Sequence, residues 1–211
     1  MSRRLPLALA LLLVVAACGA KQPPSPPLFA RVVAVLPFET APGADKGEKR
    51  GEAKGGDMVT AQVYRYLSEQ TTYRIVPDIT VGDTLATPEL RRAIGQKERA
   101  LQLGKATGAD GVLFGRVDRF DQRVGTAYGA SEPASVKFSI SLIGVNSGEV
   151  VWEGSFDETQ ESLSANFFDW WMFWESGPRW LTASELAGLG VNRLLDDCRN
   201  SLTPDTEDEA D

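Results

Sequence analysis

The chain has 211 residues, 43% of them hydrophobic and 24% charged, with a formal net charge of −7 at pH 7. This size and balance fit one ordinary globular domain and exclude both an integral membrane protein and a wholly disordered chain. The acidic excess excludes nucleic acid as a partner, because the basic residues of segment 46–54 are interspersed with Glu48 and Glu52 and no other basic cluster survives removal of the amino terminus.

Arg3 and Arg4 open the chain, and residues 5–17 form an apolar run too short to cross a bilayer comfortably. The run closes as Leu13-Val14-Val15-Ala16-Ala17-Cys18-Gly19, with small residues before the cysteine. This arrangement resembles a bacterial lipoprotein signal. The resemblance implies that residues 1–17 are removed and that Cys18 becomes the lipidated amino terminus. Gly19 stands where an aspartate commonly retains such proteins at the inner membrane, which implies the outer membrane, periplasmic face. Two or more acyl chains anchor a protein stably, each buried methylene contributing about 0.8 kcal/mol. Residues 18–30 then carry Pro23, Pro24, Pro26 and Pro27, the composition of an extended tether that keeps the domain near its membrane.

Residues 31–202 read as a single α/β domain. Val32-Val33-Ala34-Val35-Leu36 is a continuous apolar run expected to be a strand covered on both faces, ended by Pro37. Residues 40–56, rich in Gly, Lys and Glu, read as a loop, and Asp57 as the cap of a helix over 58–70 with Val59, Val63, Tyr66 and Leu67 at helical spacing. A short strand is expected at 73–76. Thr87-Pro88-Glu89 starts one or two helices reaching Thr107, and Gly108 supplies a left-handed terminus before a strand from Val112 to Phe120. Val136, Phe138, Ile140 and Leu142 alternate with Ser135, Lys137, Ser139 and Ser141. Asn146-Ser147-Gly148 turns the chain into a returning strand with Val150, Trp152 and Phe156. A last helix is expected over 183–201, facing Leu186, Leu189, Leu194 and Leu195 inward. Residues 203–211 form an acidic tail expected to be disordered.

Several groups invite a chemical reading. Histidine is absent, which removes the commonest general base and the commonest metal ligand, so no metal or cofactor site is expected. Glu149, Glu153, Asp157, Glu158 and Glu161 crowd the hairpin and its exit, where they read as solvated acids, since only buried or paired carboxyls acquire catalytic pKa values. If Cys18 is lipidated, Cys198 has no partner within the chain and reads as a small buried apolar side chain. The most unusual composition is Phe167-Phe168-Asp169-Trp170-Trp171-Met172-Phe173-Trp174, with Trp180 nearby. As a helix it would gather Phe167, Trp170, Trp171 and Trp174 on one face. Such side chains carry about 150–250 Å² of buriable area each, so something must cover them: the protein's own sheet, another protein or the membrane interface.

The order Val33-Ala34-Val35-Leu36-Pro37-Phe38-Glu39, a helix, Tyr73-Arg74-Ile75-Val76-Pro77, Gly108-Ala109-Asp110-Gly111-Val112-Leu113-Phe114-Gly115-Arg116-Val117 and Gly148-Glu149-Val150-Val151-Trp152 resembles one superfamily. It is the periplasmic lipoprotein superfamily of the curli-secretion lipoprotein, the TolB amino-terminal domain and the activators of penicillin-binding proteins. The resemblance spans residues 31–156 and implies a mixed sheet of about five strands flanked by helices; by the residue pattern alone, the hairpin at its end is followed by the aromatic segment and a helix. It also implies a non-catalytic accessory or assembly factor that binds envelope proteins; outside the span of the resemblance, the aromatic composition marks Phe167, Trp170, Trp171, Trp174 and Trp180 as the candidate docking residues. The alternatives are a subunit of an oligomeric secretion pore, which would make the chain a homo-oligomer, and a regulator of cell-wall synthesis.

Overall fold

The computed structural model describes residues 32–45, 54–160 and 179–202. Strand β1 (Val32–Val35) is buried along its whole length, as an apolar run without alternation requires. Pro37 cannot donate to a ladder, so the strand stops and resumes as β2 (Glu39–Thr40). Helix α1 (Gly55–Gln70) begins earlier than its sequence suggests, at Gly55 and not at Met58, and its cap is not Asp57. Distant residues do the capping: the Gly55 amide donates to Asp45 Oδ1 at 3.1 Å and the Gly56 amide to Thr40 Oγ1 at 2.9 Å. Only glycine fits there, since a Cβ on Gly56 would lie 2.3 Å from the Phe38 carbonyl oxygen. The expected loop therefore already belongs to the sheet at Thr40 and to the helix at Gly55.

Strand β3 (Arg74–Ile75) is followed by α2 (Asp78–Leu85), which the sequence reading did not contain, then α3 (Pro88–Arg92) and α4 (Gln96–Thr107). Gly108 ends α4 at φ 67°, left-handed as expected, and β4 (Gly111–Asp121) follows. A small hairpin of β5 (Val124–Thr126) and β6 (Gly129–Glu132), also unanticipated, precedes β7 (Ser135–Gly144) and β8 (Val150–Thr159). Helix α5 (Ala183–Leu202) closes the described chain.

The main sheet runs β3-β1-β4-β7-β8, with β2 beside β4. β3, β1, β2 and β4 are parallel, whereas β4/β7 and β7/β8 are antiparallel. The chain is thus a mixed α/β domain, as the fold reading expected. Two apolar cores lie on opposite faces. One joins Val33, Val35, Phe138, Ile140 and Phe156 to α1 and α5, and the other joins Val32, Ala34, Val112 and Phe114 to α2–α4. Phe138 and Phe156 pair across β7/β8 with ring centroids 5.4 Å apart, tilted. Gly190 lets α5 lie against the sheet, because a Cβ there would sit 2.6 Å from the Phe156 ring. Beyond α4 the second face is open and polar, and Arg116, Lys137, Ser155 and Asp157 stand on it in contact with water.

Candidate protein-docking surface

The register of the sheet separates two poles. At one, Val32 lies next to the Gly111 and Gly144 ends of β4 and β7. Here the Val32 amide donates to Asp110 Oδ2 at 3.0 Å and the Asp110 amide donates back to the Val32 carbonyl at 2.8 Å. Residues 1–31 join the domain at this locked corner. At the other pole, Asp121, Ser135 and Thr159 stand side by side, and segment 161–178 leaves and returns. The eleven residues of β4 hold the poles about 35 Å apart at about 3.3 Å per residue.

Gln160 ties the two ends of segment 161–178 together. It is 1% exposed, its Nε2 donates to the Arg179 carbonyl at 2.9 Å, and its Oε1 accepts the Leu181 amide at 2.6 Å. A buried amide satisfied on both sides is a rigid clamp. Trp180 sits between, half-buried, its amide donating to the Ala127 carbonyl at 2.7 Å and its carbonyl accepting from the Arg123 guanidinium. The Ala183 amide donates to Gln122 Oε1 at 3.1 Å, so the residues linking β4 to β5 fix the approach to α5.

Thr182 and Glu185 complete a capping box. The Thr182 amide donates to Glu185 Oε2 at 2.8 Å and the Glu185 amide donates to Thr182 Oγ1 at 3.2 Å. Burial pushes the Glu185 carboxyl up, but bonds from Thr182 and the Arg179 guanidinium outweigh it and hold the group below its ordinary range. The Thr-x-x-Glu signal was present in the sequence and could have been read. Alongside, Gln62, Arg65, Ser184 and Asn192 line a polar cleft of about 390 Å³ between α1 and α5.

Of the residues singled out from sequence, Trp180 is placed at this pole, next to the tip of the β5/β6 hairpin, where Tyr128 is 88% exposed. Cys18, Phe167, Trp170, Trp171, Trp174 and Glu161 lie outside the described residues. Glu149, Glu153 and Asp157 are exposed. Asp157 is held below the carboxylate range by hydrogen bonds from Lys137, at 2.8 Å, and from Arg119, the opposite of what a general acid needs. Cys198 is 1% exposed and burial pushes its thiol up to about 12, which keeps it protonated and inert. Among the described residues no three His, Cys, Asp or Glu side chains converge as metal ligands, and no helix is long and apolar enough to cross a membrane. What this pole offers is a rigid frame at the two ends of segment 161–178.

The fold is that of a mixed α/β domain. Over residues 56–157, from α1 into β8, the chain matches the model of the family described as Peptidoglycan-synthase activator LpoB. The match supports the activator branch of the resemblance. No curated protein matched the sequence. Among solved structures, the LpoB C-terminal domain from Salmonella enterica shares 16% identity, with 61% of this chain and 82% of that one covered and a TM-score of 0.42. The PelC dodecamer from Paraburkholderia phytofirmans shares 17% identity over 82% of this chain and 89% of that one, TM-score 0.46. Lipoprotein GNA1162 from Neisseria meningitidis shares 20% identity over 81% and 99%, TM-score 0.45.

Proposed function

We propose that the chain is an outer-membrane lipoprotein of the periplasm that stimulates a peptidoglycan synthase by binding it and has no catalytic centre of its own. The match of residues 56–157 to the activator family carries this reading. The site chemistry supports it: Asp157 is held ionised by Lys137 and Arg119, Glu185 by bonds from Thr182 and Arg179, and the buried thiol is protonated. Cys18 provides the anchor and residues 18–30 the tether. Phe167, Trp170, Trp171, Trp174 and Trp180 form the docking surface, because large aromatics anchored in a partner's pockets supply most of the energy of such contacts.

The polarity of the domain bears on how a short tether can serve. Residues 1–31 join at the Val32 pole and segment 161–178 at the Gln160 pole, so the length of the sheet adds to the reach of the tether. The membrane-interface destination for the aromatic segment loses ground accordingly. The test is glycan polymerisation by the bifunctional synthases of the same cell, with the full chain added in detergent. Stimulation is expected, and Trp170→Ala with Trp171→Ala should lower apparent affinity about 30-fold, as losing an aromatic anchor worth about 2 kcal/mol does. An unchanged polymerisation rate with every synthase, and no complex with any of them, would defeat the proposal.

A further inference from the structure

Of the two outer strands of the main sheet, β3 has two residues and β8 has ten. The Gln160 amide donates to the Ala134 carbonyl at 3.0 Å, in register with the β7/β8 ladder. By the alternation of an antiparallel ladder, Phe138/Phe156 and Ile140/Gly154 are then hydrogen-bonded pairs, and the residues between them turn their N–H and C=O groups outward. These residues are Glu153, Ser155, Asp157 and Thr159, all exposed, and among the described residues no strand pairs with them.

A long open edge is ordinarily blunted by charge, and here the charge also selects. A cation on an added strand can pair with Glu153 across this edge, as opposite charges do on facing strands. Asp157 is neutralised by Lys137 and Arg119, whereas Glu153 makes no ion pair among the described residues. On the opposite face, Val151 and Leu189 are half-buried apolar side chains packed against the first core, at the margin an added strand would cover.

We propose that the free edge of β8 accepts an extended segment of the protein partner as a further strand, with Lys or Arg facing Glu153 and apolar side chains facing α5. Main-chain hydrogen bonds would supply affinity and the alternating side chains selectivity. The proposal rests on the reading that the chain works by binding a protein, and it names a surface separate from the aromatic segment.

The test uses the full chain in detergent and a soluble peptide of alternating valine and lysine, with an analogue N-methylated along one edge. The peptide should slow hydrogen exchange at the Ser155 and Asp157 amides about tenfold. N-methylation, or Ser155→Pro, which removes an outward N–H and leaves the β7 ladder intact, should weaken binding about fivefold, the loss of a hydrogen bond or so. Glu153→Lys should weaken it similarly. The proposal is overturned by no binding at millimolar peptide, equal binding of the N-methylated analogue, edge amides already protected without peptide, or a dimer that Ser155→Pro dissolves. Synthase stimulation by the Ser155→Pro chain separates the two ideas. Undiminished stimulation sinks the edge and spares the activator reading, whereas no stimulation even by the unaltered chain sinks the activator reading alone.

Discussion

Replacing Gln160 by Ala tests whether the clamp holds the aromatic pole together. The substitution deletes two hydrogen bonds, at 2.9 Å and 2.6 Å, and leaves the amide of Leu181, itself 1% exposed, with no acceptor. An orphaned buried donor costs about 1–3 kcal/mol, and the vacated side-chain volume adds to that. The Arg179 carbonyl lies at a half-exposed residue where water can replace the lost donor, so its share is small. The sum is about 2–3 kcal/mol, which in a domain of this size lowers the melting temperature by about 4–12 °C. Gln160→Leu keeps the volume and should fall within the same range, because the cost comes from the unpaired amide. Circular dichroism melts of the full chain in detergent provide the measurement. If both variants melt within about 2 °C of the unaltered protein, Gln160 is not a clamp.

Other consequences follow from the same geometry. Gly115→Ala would place a Cβ 2.1 Å from the Ser139 carbonyl oxygen and 2.4 Å from Phe38 Cε1, so overpacking should destabilise the domain by about 1–3 kcal/mol in urea titrations. Cys198, with its thiol near 12, should react with iodoacetamide at pH 8 on the order of a thousandfold more slowly than a free cysteine, and at the ordinary rate once urea unfolds the chain. Glu185 has a folded-state pKa below its ordinary value, so the unfolded chain takes up its proton first. Its contribution is present above the carboxylate range and is lost as pH falls through the folded pKa. Glu185→Gln should therefore flatten the acid limb of the urea midpoint against pH, and an unchanged limb would refute the capping assignment.

The elements that could be read from the chain are those whose signal is local. Val136, Phe138, Ile140 and Leu142 alternate within one strand, and Gly108 announces its own left-handed terminus. Those that could not be read depend on distant partners or on weak local signals. α2 buries only Val81, so no apolar period marks it. β5 and β6 are exposed and contain Gly125 and Gly129, which resemble a loop in composition. The start of α1 is set by Thr40 and Asp45, and nothing in 54–58 reveals that caps arrive from so far away. Gln160 is the sharpest case: a polar side chain following Asp157 and Glu158 reads as surface, and only the approach of residues 179–181 gives its amide two backbone partners. For the proposed docking residues the aromatic composition was the signal, and of the five it marked, Trp180 is the one whose surroundings are described.

Helix α5 is the last described element, yet it furnishes Leu186, Val191, Leu194, Leu195 and Cys198 to the core that α1 began, and Asp196 accepts from the Tyr66 hydroxyl across 130 residues of chain. Until the ribosome has made it, the apolar side of β7 and β8 has no lid and the sheet cannot be consolidated. Such late closure delays folding during synthesis, which suits the proposed export signal, since a polypeptide threaded unfolded through a channel must condense only on the far side.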